Sequence, residues 1–118
     1  MFARTLVGRF TPELDKYLKI LIRVMTKLST DEIQKRIKQL NGWVVENNGI
    51  KKEFRFKDFV ETVNFLNKIV PIAEEMEHHP DVTIKDYNRM IISVTTHDEG
   101  GITELDFGLA QKIDGLKH

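Results

Sequence analysis

The segment KDFVETVNFLNKIVPIAEEMEHH, residues 57–79, predicts one long helix in the middle of the chain. Pro71 lies inside it and predicts a kink, because proline removes a hydrogen bond and crowds the preceding turn. Pro80 follows it, so we expect the helix to finish by His78 or His79. Apolar residues recur every three or four positions and indicate a single buried face: Phe59, Val63, Leu66, Ile69, Val70, Ala73 and Met76.

Two predicted hairpins flank this helix. On the N-terminal side, WVVE and IKKEFRF read as strands around the tight turn NNG. On the C-terminal side, VTIKDY and RMIISVTT form a second pair of strands. A helix precedes the first hairpin, with Thr30 as its predicted N-cap, and a helix capped by Thr103 follows the second. The order α-β-β-α-β-β-α is typical of an α+β fold, in which helices pack on one face of a four-stranded antiparallel sheet.

An additional helix is predicted near the N-terminus. Pro12 suits the first turn of a helix, and an amphipathic stripe follows it. Such a helix must bury its stripe against the domain or against a second subunit. The basic start of the chain could also indicate a transit peptide, but Glu13 and Asp15 come too early for that pattern. The stripe consists of Leu14, Leu18, Leu21, Ile22 and Met25.

Composition limits the possible functions. The 118 residues are enough for one domain with a modest core. The chain has no cysteine, which excludes disulfides, zinc-thiolate sites and thiol nucleophiles. Its formal net charge of zero argues against direct contact with nucleic acid. No apolar run approaches the length needed to cross a membrane. Without cysteine the compartment cannot be read from redox chemistry, so the cytoplasm is the default expectation.

Three of the four histidines lie close together in the sequence, at His78, His79 and His97. Histidine can give or take a proton near neutral pH, so these residues are candidates for general acid–base catalysis on a small molecule. Glu74 lies four residues before His78, on the same helical face, and is expected to orient that imidazole. Asp106, on the final helix, adds a second carboxylate.

Spacing alone leaves two other interpretations open. The three histidines could hold a metal ion together with Asp98 or Asp106, although the sequence has no HxH or HxxxH pair to place two imidazoles on one face. They could also be ordinary surface or core residues, which is the more frequent role of a histidine. Without further information the last interpretation is favoured.

Several motifs in order resemble the pterin-4a-carbinolamine dehydratases. They are LNGW at residues 40–43, FRFKDF at 54–59, E-x-x-x-H-H-P at 74–80, YN at 87–88 and T-H-D-x-G-G-I-T-x-x-D at 96–106. The resemblance runs from about Lys27 to Leu116. It implies a dehydratase-like domain over residues 27–118 and a helical extension over residues 1–26.

The resemblance implies dehydration of a 4a-hydroxytetrahydropterin to the quinonoid dihydropterin, which regenerates the cofactor of aromatic amino-acid hydroxylases. It implies neither a metal nor a bound cofactor. No membrane partner is expected, because no apolar run is long enough to span a membrane. Family members form homodimers or homotetramers. Animal relatives also act as dimerisation cofactors of a transcription factor, so a non-catalytic protein-binding module is the alternative function. The implied catalytic residues are His78, His79 and His97, and the implied supporting or substrate-binding residues are Asp106, Glu74, Thr95 and Thr96.

Overall fold

The computed structural model describes residues 11–117 of the chain, apart from the side chain of Val24. Its helices are α1 (Pro12–Met25), α2 (Thr30–Ile37), α3 (Phe59–Met76) and α4 (Glu104–Asp114). Its strands are β1 (Val44–Glu46), β2 (Gly49–Arg55), β3 (Asp81–Lys85) and β4 (Arg89–Val94). The four strands form one antiparallel sheet in the order β1-β2-β4-β3. The predicted α+β fold and its order of elements are confirmed.

Both hairpins turn on residues with left-handed backbone conformation. Asn47 and Asn48 connect β1 to β2 with φ angles of 50° and 62°, as a tight hairpin turn with the twist of the strands requires. Asp86 and Tyr87 form the corresponding turn between β3 and β4, with φ angles of 49° and 58°. Pairing of β2 with β4, from Ile50 opposite Val94 to the far end of β2, joins the two hairpins into one sheet.

The core lies between the sheet and the helices α3 and α4. Its largest fully buried side chains include Ile50, Met90 and Ile92 from the sheet and Phe65, Ile69, Leu109 and Ile113 from the helices. Because alternate residues of a strand point to one face, Met90, Ile92 and Val94 enter the core together.

The buried face of α3 differs from the predicted one. Phe59 and Val70 were expected to be buried but are exposed, whereas Thr62 and Phe65 are buried. Thr62 can occupy the core because its hydroxyl donates a hydrogen bond to the Asp58 carbonyl oxygen at 2.8 Å. The helix continues through Pro71.

The first two helices begin with side-chain caps. Thr11 accepts a hydrogen bond from the Leu14 amide at the start of α1. The N-cap of α2 is Ser29, which accepts from the Glu32 amide at 3.2 Å, so the prediction of Thr30 as the cap is wrong by one residue. Residues 1–10 of the predicted helical extension lie outside the described part of the chain. No helix within residues 11–117 has both the length and the apolarity to cross a membrane.

An ion-pair cluster crosses the exposed face of the sheet. Arg89 on β4 contacts Glu53 on β2 at 2.9 Å and Asp86 at 3.0 Å. The hydrogen bond from Arg89, with help from the charges of Arg89 and Arg55, holds the pKa of Glu53 below its ordinary value of 4.5.

The Glu53→Gln variant is therefore expected to lose a small amount of stability at neutral pH. Because the carboxyl's pKa is lowered in the folded state, its contribution is present above the ordinary pKa and disappears as the pH falls through the lowered one. Urea unfolding of both proteins at neutral pH and at about pH 3 measures the difference. A gap that persists undiminished at the acidic pH would contradict the expectation, and Glu75→Gln, at an exposed position of α3, is the control.

Candidate active site

His78 enters the interior because α3 ends in a left-handed turn. The helix stops at Met76, and Glu77 adopts a φ of 51°. The amides of Glu77 and His78 then donate to the carbonyl oxygens of Glu74 at 3.2 Å and Ala73 at 3.1 Å. These bonds satisfy carbonyl groups of the last helical turn, so the helix ends before it reaches Pro80. The two adjacent histidines therefore follow the helix and do not share its periodicity.

A buried carboxylate lies beneath His78. Asp106 is at the third position of α4 and forms a capping box with Thr103, the N-cap residue. Its Oδ2 accepts hydrogen bonds from the Thr103 amide and the Thr96 hydroxyl, both at 2.9 Å. Its Oδ1 lies 2.6 Å from Nε2 of His78. Asp106 has no exposed surface and His78 is 9% exposed.

The hydroxyl groups around Asp106 donate in one direction when Asp106 is a carboxylate. The Leu105 amide donates to the Thr103 hydroxyl, which lies 2.8 Å from the Thr96 hydroxyl. Since each hydroxyl has one hydrogen and Thr96 donates to Asp106, Thr103 donates to Thr96. Asp106 thus accepts two hydrogen bonds on Oδ2, and its Oδ1 is available to accept a third from His78. With Asp106 as a carboxylate, its Oδ1 can only accept a hydrogen bond, so the Nε2 of His78 that faces it is the donor.

His79 forms a separate and exposed pair. Its Nε2 contacts a carboxylate oxygen of Glu74, and both side chains are about two-thirds exposed. Glu74 was expected to orient His78, and that prediction is wrong. The turn at Glu77 moves His78 away from the helical face of Glu74, so the next imidazole meets this carboxylate instead.

The three predicted histidines line one small cleft of about 250 Å³. His97 belongs to a short 3₁₀ turn that follows β4 and ends at Gly100 in the left-handed conformation. Thr95 also lines the cleft, although its hydroxyl donates to the Asn48 carbonyl oxygen at 2.6 Å. Asp106 lies behind this surface and Glu74 beside it. The other lining residues are Glu77, Thr96 and Asp98.

Thr103 is the part of this network that sequence reasoning missed. It was identified as a helix cap, but its hydroxyl also orients the Thr96 hydroxyl toward Asp106. The T-x-x-D pattern at residues 103–106 is the signal that could have revealed its contact with Asp106. Within residues 11–117, no three His, Asp or Glu side chains are grouped so that they could hold one metal ion.

Comparison with known proteins gives one consistent family. The family model described as pterin 4 alpha carbinolamine dehydratase matches residues 26–116. A relative from Sulfolobus acidocaldarius, which carries a provisional pterin-4-alpha-carbinolamine dehydratase name, is 50% identical over 91 residues, or 77% of this chain and 99% of its own. A relative with the same provisional name from Sulfurisphaera tokodaii is 54% identical over 92 residues, or 78% of this chain and 98% of its own.

A solved structure is also similar to this chain. It is the crystal structure of a transcriptional coactivator/pterin dehydratase from Brucella melitensis, which is 34% identical to this chain. The TM-score is 0.70, and the match covers 75% of this chain and 96% of that one. Helix α1 precedes the part of the chain that the family model matches.

Proposed function

Because the chain belongs to the pterin 4 alpha carbinolamine dehydratase family, we propose that it removes water from a 4a-hydroxytetrahydropterin. The bond from C4a to its hydroxyl oxygen breaks, the neighbouring ring nitrogen loses its proton, and a double bond forms between that nitrogen and C4a. The products are water and the quinonoid dihydropterin. The observation that carries this proposal is the buried pair of His78 and Asp106 at a cleft lined by three histidines.

We assign the role of general base to His78. A neutral imidazole protonated at Nε2 offers the Nδ1 lone pair to a proton on the substrate. Proton uptake creates a positive charge, and the Asp106 carboxylate lies 2.6 Å from the ring at Nε2. The carboxylate is proposed to fix both the tautomer and the orientation of the ring, as the aspartate does for the histidine of a Ser-His-Asp triad. Asp106 is in this scheme a positioning residue, since it has no exposed surface.

We assign the remaining steps to His79 and His97. Protonation of the departing hydroxyl requires a proton donor on the cleft surface. His79 and His97 supply the two other imidazoles that line the cleft. Thr95 and Thr96 line the same surface and are proposed to support substrate binding. Glu74 is proposed to hold the His79 ring through their direct contact.

The assay for this proposal uses freshly generated 4a-hydroxytetrahydropterin. We expect purified protein to accelerate its dehydration well beyond the rate in buffer, and the variant with both His78→Ala and His97→Ala to return to the buffer rate. The absorbance of the quinonoid product reports the reaction. Wild-type protein that is no faster than buffer, or a fully active double variant, would contradict the proposal.

We also propose a physiological setting. The reaction would serve pterin recycling in the cytoplasm, and the protein would act as a homodimer or homotetramer. The pathway and the assembly rest on the family resemblance, and the cytoplasm is the default location. Light scattering of the purified protein tests the assembly.

A protein-binding role is the second candidate, because the Brucella melitensis relative is described as both a transcriptional coactivator and a pterin dehydratase. Affinity capture from native lysate distinguishes the two roles. A stoichiometric protein partner, together with no measurable dehydration, would favour binding as the main function.

A further inference from the structure

The loop that carries His97, residues 96–101, is anchored at its two ends. Its tip, residues 97–100, is exposed, whereas Thr96 and Gly101 are buried. These two residues form an isolated antiparallel bridge, in which the Thr96 amide donates to the Gly101 carbonyl oxygen at 3.0 Å and the Gly101 amide donates back at 3.4 Å. The tip itself adds two amide-to-carbonyl bonds of a 3₁₀ turn. Because an exposed tip has few contacts of its own, the position of His97 depends on how the ends of the loop are held.

The segment that follows α1 lies along one of these ends. Thr26, at the end of α1, is extended with a ψ of 136°. The Leu28 amide then donates to the Ile102 carbonyl oxygen at 2.8 Å. Ile102 is 2% exposed, and Leu28 packs against the hydrophobic core, so this bond fixes the segment to a well-packed part of the domain. Lys27, one residue before Leu28, is thereby placed beside Gly101.

The side chain of Lys27 covers Gly101. A methyl group added to Gly101 would lie 2.8 Å from Cε, 3.2 Å from Cδ and 3.3 Å from Cγ of Lys27. Carbon atoms in contact are normally about 3.5–4.0 Å apart, so these three lie directly against the glycine. Gly101 is buried although Gly100 beside it is exposed. Lysine commonly packs its aliphatic stem in this way while its charged end stays in water.

We propose that Lys27 is a positioning residue for His97. Its role rests on the proposed function, in which His97 is one of the two candidate proton donors. The aliphatic stem of Lys27 keeps Gly101 in place, the bridge between Gly101 and Thr96 closes the loop, and the closed loop presents His97 to the cleft. The contacts with Gly101 are made by carbon atoms, so the stem of Lys27 is needed and its charge is not.

Two substitutions of Lys27 test the role of the stem. Lys27→Ala should lower kcat for dehydration about tenfold or more, because a small displacement of a catalytic group has an effect of this order. KM should stay nearly constant, since proton donation to the departing hydroxyl stabilises the transition state and not the bound substrate. Lys27→Met keeps an unbranched side chain of similar length and should retain most of the rate. Lys35→Ala, at an exposed position of α2, is the matched control.

A substitution of Gly101 tests the same contact from the other side. Gly101, unlike Gly100, does not have a left-handed backbone conformation, so alanine fits its backbone. Gly101→Ala should displace the Lys27 stem and lower kcat. In the Lys27→Ala background the same methyl group occupies space that the stem has left, so the double variant should be more active than either single variant. Additive losses would overturn the proposal, and so would equal losses in Lys27→Ala and Lys27→Met.

Hydrogen exchange, which needs no substrate, separates this role from the proposed function. The amides of Thr96 and Gly101 should exchange faster in Lys27→Ala than in the wild-type chain, and the amide of Ile92, at the centre of β4, should not change. Wild-type protein without dehydration activity would contradict the proposed function, while the exchange of Thr96 and Gly101 would still test the contact. Unchanged exchange at these two amides would overturn the positioning role, whatever the rate of Lys27→Ala.

Discussion

Replacing Asp106 with asparagine is expected to lower the dehydration rate by roughly 10²- to 10⁴-fold, although the side chain keeps its size. The Thr96 hydroxyl and the Thr103 amide both donate toward Oδ2, so the amide oxygen of asparagine takes that position. Its NH₂ group then faces Nε2 of His78, which has to become an acceptor. The proton of the ring moves to Nδ1, the nitrogen that the proposed mechanism needs as the base.

The matched control for this variant is Asp114→Asn, at the other end of the same helix. Asp114 accepts hydrogen bonds from the Trp43 indole and the Lys52 ammonium, both at 2.9 Å, but does not line the cleft. We expect each substitution to lower the free energy of unfolding by about 1–3 kcal/mol, and Asp106→Asn alone to lower the rate. Nitrogen NMR of labelled histidine should show the changed tautomer of His78. Equal losses of rate in the two variants would assign Asp106 a purely structural role.

Local features of this fold could be predicted from the sequence because they depend on neighbouring residues. The tight turn at Asn47 and Asn48 and the cap at Thr103 involve bonds within a few positions, and both were predicted. The prediction of the buried face of α3 was less accurate, since it included the exposed Phe59 and Val70 and omitted the buried Thr62. A threonine can be buried when its hydroxyl reaches the preceding turn, and an apolar pattern does not identify such a position.

Spacing along the chain could not predict which carboxylate pairs with which histidine, for two physical reasons. Glu77 adopts a left-handed conformation that a residue other than glycine takes only at a cost, so nothing in the pattern signals that His78 leaves the helix there. Asp106 lies 28 residues from His78 in the sequence, and their contact depends on how α4 packs beside the end of α3. The same holds for α1, because periodicity predicts its apolar stripe but not that Leu14, Leu21 and Met25 of this stripe are exposed.

Truncation of the two adjacent histidines is expected to have very different consequences for stability. His78→Ala removes the donor on Oδ1 of a fully buried carboxylate, which should cost roughly 3 kcal/mol, the upper end for a buried acceptor that loses its donor. His79→Ala removes the partner of Glu74 in a pair that is about two-thirds exposed, and should cost at most about 1 kcal/mol because water screens the interaction. Urea unfolding of both variants at neutral pH measures the difference, and the two positions serve as controls for each other.

A conservative replacement separates the structural role of His78 from its chemical one. His78→Gln keeps a side-chain N–H that can donate to Asp106, so it should recover most of the stability that His78→Ala loses. It has no group that can take up a proton near neutral pH, so the dehydration rate should stay as low as in His78→Ala. Full activity in His78→Gln would show that another residue is the base. Equal destabilisation by His78→Ala and His79→Ala would show that the buried pair does not form as described.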